Sequence, residues 1–110
     1  MIKKLFIYIP LLATCFFNVA KADSSAIAPM DLLKKNSCLA CHGIDQKLVG
    51  PSYNQVFERY QSDKTASKDK LISSILGGSK GNWGEMEMPP QQQLSKNDAE
   101  IIVEWILSKK

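Results

Sequence analysis

Cys38-Leu39-Ala40-Cys41-His42 is the stretch that most constrains this chain. Two thiols three residues apart fall on one helical turn, where they can bond the two vinyl groups along one edge of a porphyrin. A histidine immediately after them can swing beneath the ring and ligate its iron. The spacing therefore predicts one covalent haem c, held through Cys38 and Cys41, with His42 as proximal ligand. Three other readings fit less well. A thiol redox pair accompanies a βαβ pattern, and the stretches that follow read as loops and short helices. Structural zinc needs a fourth ligand, but His42 is the only histidine and the third cysteine, Cys15, lies in an apolar N-terminal run. A disulfide between Cys38 and Cys41 would close too small a loop to constrain much of the unfolded chain.

That N-terminal run has its own logic. Lys3 and Lys4 supply a positive end, Leu5 to Phe17 is mostly apolar, and Ala20-Lys21-Ala22 is a small-x-small cleavage site, the layout of a secretory signal. Residues 1–22 are thus expected to be a signal peptide cleaved after Ala22, with one domain over residues 23–110 exported to an oxidising compartment. The apolar run is shorter than the roughly 20 residues a membrane span requires and contains Pro10. Lipidation of Cys15 is a second reading, which Thr14 suits poorly because a small residue is expected there. Export agrees with the motif, since paired thiols in an oxidising compartment need a use. It also removes the basic excess. Without Lys3, Lys4 and Lys21 the fourteen basic residues fall to eleven, against eleven acidic ones. A formally neutral mature chain gives no reason to expect nucleic-acid binding.

Along the mature chain only helical spacing appears. Pro29 suits a helix start, and Met30, Leu32 and Leu33 give an apolar face running into the cysteine motif. Ile44 to Pro51 reads as a loop closed by Gly50-Pro51. Tyr53, Val56, Phe57 and Tyr60 predict a short second helix, Gln61 to Lys70 a polar surface connection, and Leu71, Ile72, Ile75 and Leu76 a third helix over 68–76 ended by Gly77-Gly78. Gly78 to Gln93 is a long irregular loop holding Trp83, Met86 and Met88, and long ordered loops in small domains are usually functional. Ser95 caps a last helix, with Asp98 and Glu100 in its first turn and Ala99, Ile102, Val103 and Ile106 as its buried stripe. The expected fold class is all-α: about four short helices in a single domain round one haem. An 88-residue mature chain is near the size at which a core is marginal, so haem is expected to fill much of the interior.

The sixth iron position decides the function. Bis-histidine ligation is excluded by the single histidine, and thioether sulfur is the natural remaining ligand. Met86 and Met88 are both placed to supply it, whereas Met30 lies too close to the attachment segment. Trp105 reads as a helix-packing aromatic.

Cys38 to His42, Leu48-Val49-Gly50-Pro51, Gly81-Asn82-Trp83-Gly84 and Met88-Pro89-Pro90, followed by a C-terminal helix, together resemble the small bacterial class I cytochromes c that shuttle electrons in the periplasm. The resemblance spans nearly all of the mature chain. It implies that Met88 is the distal ligand, that Met86 is an apolar surface residue, that the Pro51 carbonyl accepts a hydrogen bond from His42, and that the Trp83 indole donates to a haem propionate. It also implies an apolar docking patch of Leu39, Ala40, Leu48, Val49, Met86, Pro89 and Pro90, rimmed by Lys34, Lys35 and Lys47. Three positions depart from the family: Ser74 stands where an arginine near a propionate is common, Gln91 replaces an asparagine that can bond the ligand sulfur, and Glu85 replaces a proline beside the haem edge.

The sequence thus reads as a monomeric electron carrier rather than an enzyme, with a His42/Met88-ligated haem iron, no small-molecule substrate and redox proteins as partners. The resemblance suggests a quinol-oxidising complex as donor and a terminal oxidase, nitrite reductase or peroxidase as acceptor. Two rivals remain at this stage: a haem c protein with a labile or open sixth site, catalytic or gas-binding, and a subunit fixed in a larger respiratory complex.

Overall fold

Pro29 opens helix α1 (Pro29–Lys35), where its missing N–H costs nothing, and Leu32 and Leu33 are buried on its inner face. The structure is a computed structural model that describes residues 27–110. The expected signal segment, its cleavage point and Cys15 lie outside the described residues. Helix α1 stops short of the cysteine motif. Asn36 caps it and Ser37 turns into the left-handed region at φ 57°, so Cys38–Ala40 forms a separate 3₁₀ turn with Cys41 as its cap. The expected helical run into the motif is therefore corrected to helix, reversal and turn. The reversal is what swings the thiols off the α1 axis.

Ser52 starts α2 (Tyr53–Tyr60) through a capping box: its hydroxyl accepts from Gln55 N–H at 3.1 Å, and its own N–H donates to the Gln55 side chain at 2.9 Å. Helix α3 (Lys64–Gly77) follows a short 3₁₀ turn, Gln61–Asp63. The polar connection expected over 61–70 is thus mostly helix. Asp63 accepts from Ala66 N–H at 3.0 Å, and the buried Ser67 hydroxyl donates to the Tyr60 carbonyl at 3.4 Å. These polar contacts begin the helix two turns before its apolar face does. Gly78, at φ 83°, ends it. Helix α4 (Lys96–Leu107) begins at Ser95, whose hydroxyl accepts from Asp98 N–H at 3.0 Å.

Helix α4 is the hub: it packs on α1, α2 and α3. Ala99, Ile102, Val103, Ile106 and Leu107 on α4 meet Leu32 and Leu33 on α1, Tyr53 and Val56 on α2, and Leu71 and Ile72 on α3 in one buried cluster. Fully burying each large aliphatic side chain contributes roughly 1.5–3 kcal/mol. Trp105 packs at the edge of that cluster, edge-on to Tyr53 with ring centroids 5.3 Å apart. Lys68 and Glu104 join α3 to α4 at 2.6 Å, and that bond raises the Lys68 pKa. Both groups are solvated, so the pair adds little stability. Among the described residues there is no named strand, and no helix is long and apolar enough to cross a membrane. The all-α, single-domain expectation is met.

Candidate functional site

The attachment segment is built by its own backbone. Cys41 and His42 N–H both donate to the Cys38 carbonyl, at 3.2 and 2.9 Å, and Gly50 N–H returns to the Cys41 carbonyl at 2.9 Å. This closes the 43–50 loop under the motif and brings Pro51 beneath His42. His42 Nδ1 lies 2.7 Å from the Pro51 carbonyl oxygen. A carbonyl can only accept, so Nδ1 donates in this bond and Nε2 is the ring nitrogen left for a metal. Gly50 is required at this approach: a Cβ there would sit 2.6 Å from imidazole Cε1 and 2.9 Å from Nδ1. Tyr53 packs near the ring, with centroids 5.5 Å and planes 32° apart.

The opposite wall is the loop between α3 and α4. Ser79 and Met88 exchange backbone hydrogen bonds at 3.0 and 2.9 Å, and Gln91 N–H ties the loop's end to the Ile75 carbonyl at 3.0 Å. A Cβ at Gly78 would come within 2.9 Å of the Met88 carbonyl oxygen and 3.1 Å of the Pro90 ring. The glycine turn, the two-way bond and the proline pair together fix where Met88 leaves the backbone. The Gln91 amide donates to the Pro89 carbonyl at 2.9 Å, so its longer side chain is engaged within the loop.

Between these walls is a cleft of about 1300 Å³ counting its open mouth. Cys38, Cys41, His42, Pro51, Trp83 and Met88, the six residues singled out from sequence, all line it. Val56, Leu71, Ile75, Ile102 and Ile106 supply apolar surface. Burial pushes the Cys38 thiol up, and burial with the neighbouring Cys38 pushes the Tyr53 phenol far above its ordinary range. Tyr53 is therefore a neutral floor group. The donor set fits haem c: two free thiols, one imidazole held through Nδ1, and a methionine, Met88, also lining the cleft. Among the described residues no cluster of His, Cys, Asp and Glu offers a separate metal site.

Met88 is half-buried in the cleft, whereas Met86 is 65% exposed at its edge, where Val49 also lines it; Leu48, next to Val49 in sequence, is likewise exposed. Trp83 is half-buried and edge-on to Tyr60 at 6.4 Å. Ser74 lines the cleft and Glu85 is exposed. The sequence reading missed Gly50, Tyr53 and Tyr60 as cleft residues, and Arg59, which lies on the outer face of Trp83 with 4.4 Å to the ring centroid. Gly50-Pro51 nine residues after the motif signals a tight return. Nothing local signals the Arg59 contact, which joins residues far apart in sequence.

Comparison with known proteins agrees with this geometry. The family model for cytochrome c matches residues 30–110. Cytochrome c-551 of Allochromatium vinosum is 35% identical over 91 residues, covering 83% of this chain and 96% of that protein. The crystal structure of wild-type Nitrosomonas europaea cytochrome c552 superposes with a TM-score of 0.69 at 42% identity, covering 74% of this chain and 99% of that one. The class 1 cytochrome MtoD of Sideroxydans lithotrophicus gives a TM-score of 0.60 at 33% identity, covering 74% and 91%. A cysteine pair on a turn, a histidine held by a carbonyl and a helical shell round one cleft, matched over most of the chain, make this protein a member of the cytochrome c family: a haem c protein of electron transfer.

Proposed function

We propose that the protein is a periplasmic carrier of single electrons, exported by residues 1–22 and released after Ala22. In this reading Cys38 and Cys41 would hold haem c covalently, and His42 Nε2 and Met88 sulfur would bind its iron. The observation that supports it most is one cleft with His42, its Nδ1 held 2.7 Å from Pro51, on one wall and Met88, pinned through its backbone to Ser79, on the other. When bound, haem c supplies the one-electron ferrous–ferric couple. The chain's own residues hold that couple in place. Pro51 fixes the imidazole plane and makes His42 a more basic ligand. Pro89 and Pro90 stiffen the backbone behind Met88. With His42 and Met88 both binding the iron, no position would be left for a substrate, which suits an electron carrier rather than an enzyme.

The mouth of the cleft supports a transient partner. Leu48, Val49 and Met86 are each half-exposed or more, and weak electron-transfer encounters use small contacts that release quickly. The partners we propose are a quinol-oxidising complex as donor and a terminal oxidase, nitrite reductase or peroxidase as acceptor, met by a monomer.

Optical spectroscopy of the oxidised holoprotein tests the ligand set. Low-spin bands with a weak methionine-to-iron charge-transfer feature are expected, lost in Met88→Ala and retained in Met86→Ala. High-spin bands, ready carbon monoxide binding, or loss of the feature only in Met86→Ala would each overturn the assignment.

A further inference from the structure

Arg59, at the end of α2, is the only arginine in the chain. Its guanidinium carbon lies 4.4 Å from the Trp83 ring centroid and 5.9 Å from that of Tyr60, and Nη1 donates to the Asn82 carbonyl at 2.5 Å. Trp83, Tyr60 and Asn82 line the cleft, but among the described residues no lysine or arginine does, and Glu87 is the only carboxylate there. Haem brings two propionate carboxylates to the site that takes it. The cleft wall therefore meets added negative charge without a cation of its own, and the cation stands one aromatic layer behind.

We propose that Arg59 is a positioning residue for the loop over the cleft: it clasps Trp83 and Asn82 to the end of α2, keeps the loop closed, and lends the carboxylate end a positive potential through the indole. A planar guanidinium can stack on a ring and donate in its own plane at once, which an ammonium cannot. The loop needs such a tether, because no residue from 78 to 93 is buried in the protein core. The inference rests on the haem-carrier reading, but closure of the loop can be measured whether or not Met88 is the iron ligand.

The test uses the holoprotein and its Arg59→Gln, Arg59→Lys, Lys70→Gln, Trp83→Leu and Arg59→Gln/Trp83→Leu variants. Two quantities are read: amide hydrogen exchange at Ser79 and Met88 by NMR, and the midpoint potential by spectroelectrochemistry. Arg59→Gln should speed exchange about tenfold, as for loss of a charged hydrogen bond. It should also favour the oxidised form roughly threefold to tenfold, a potential ~30–60 mV lower. Arg59→Lys keeps most of the potential and recovers only part of the protection. Lys70 Nζ lies 5.5 Å from the Tyr60 ring centroid and makes no hydrogen bond to the loop's backbone among the described residues, and its removal should leave exchange within about twofold of the parent, a solvated cation being weakly coupled. The double variant should exchange no faster than Trp83→Leu alone. Unchanged exchange or unchanged potential in Arg59→Gln, an equal exchange effect of Lys70→Gln, or full additivity with Trp83→Leu would each overturn the proposal. A missing charge-transfer band in the parent protein would instead count against Met88 ligation.

Discussion

Gly50 shows how one hydrogen atom in place of a methyl group sets a ligand's orientation. Its α-carbon faces the His42 ring so closely that an added Cβ would overlap the imidazole at 2.6 Å, while the ring is held from behind by Pro51 and cannot retreat without lengthening a 2.7 Å hydrogen bond. Gly50→Ala is therefore expected to destabilise the protein by about 1–3 kcal/mol, the usual cost of overpacking, and to move the midpoint potential by tilting the ring. Gly77→Ala is the contrast. Nothing lies within 4 Å of a Cβ at that position, and a helical alanine restricts the unfolded chain, so a gain of about 0.4–1 kcal/mol is expected. Thermal denaturation of the two variants beside the parent checks both signs. At this scale the sequence was most legible where chemistry is local. Cys38, Cys41 and His42 declare themselves by spacing, but the clash that demands Gly50 depends on a chain reversal, and the Arg59 contact with Asn82 spans 23 residues. Helical periodicity reports neither.

Helix ends explain which elements could be read in advance. Helices α2 and α4 each begin at a serine followed by an apolar stripe, so cap and periodicity agree, and both were legible. Helix α3 was legible only from Leu71 onward, because its first two turns run over Lys64–Lys70 and are held by the Asp63 cap and the Ser67 bond to Tyr60 rather than by apolar burial. The break after α1 was hidden for a different reason: Ser37 takes a left-handed conformation that serine seldom signals. The α2 box is worth testing, since Ser52 is fully buried at the point where the attachment loop becomes helix. Ser52→Ala removes the acceptor for Gln55 N–H and should cost ~1 kcal/mol, measured by denaturant unfolding of the holoprotein. A loss below a few tenths would mean that Tyr53 packing alone starts the helix.

The whole molecule has one small core and one large cleft, and they share walls: Tyr53, Val56, Leu71, Ile102 and Ile106 belong to both. Side chains that should be dry in the holoprotein face the cleft when haem is missing. A Cys38→Ser/Cys41→Ser variant is accordingly expected to lose most of its native helix signal in far-ultraviolet circular dichroism, and native helicity without haem would show that the four helices suffice. Docking belongs to this scale too. The chain from residue 23 onward balances its charges, so long-range steering should be modest and the apolar mouth should govern the encounter. Val49→Lys should slow electron transfer to the physiological partner more than Lys47→Ala, with the potential nearly unchanged in both. Stopped-flow rates against ionic strength check this, and a steep salt dependence or a dominant Lys47 effect would reverse the order. The loop from 78 to 93 adds a last consequence. Between its tethered positions the loop carries Lys80, Glu85 and Gln92, all exposed, where a change of side chain costs folding little and still alters the charge presented beside the cleft. Selection can therefore explore new potentials and new partners at those few positions while the tethers and the helical scaffold stay as they are.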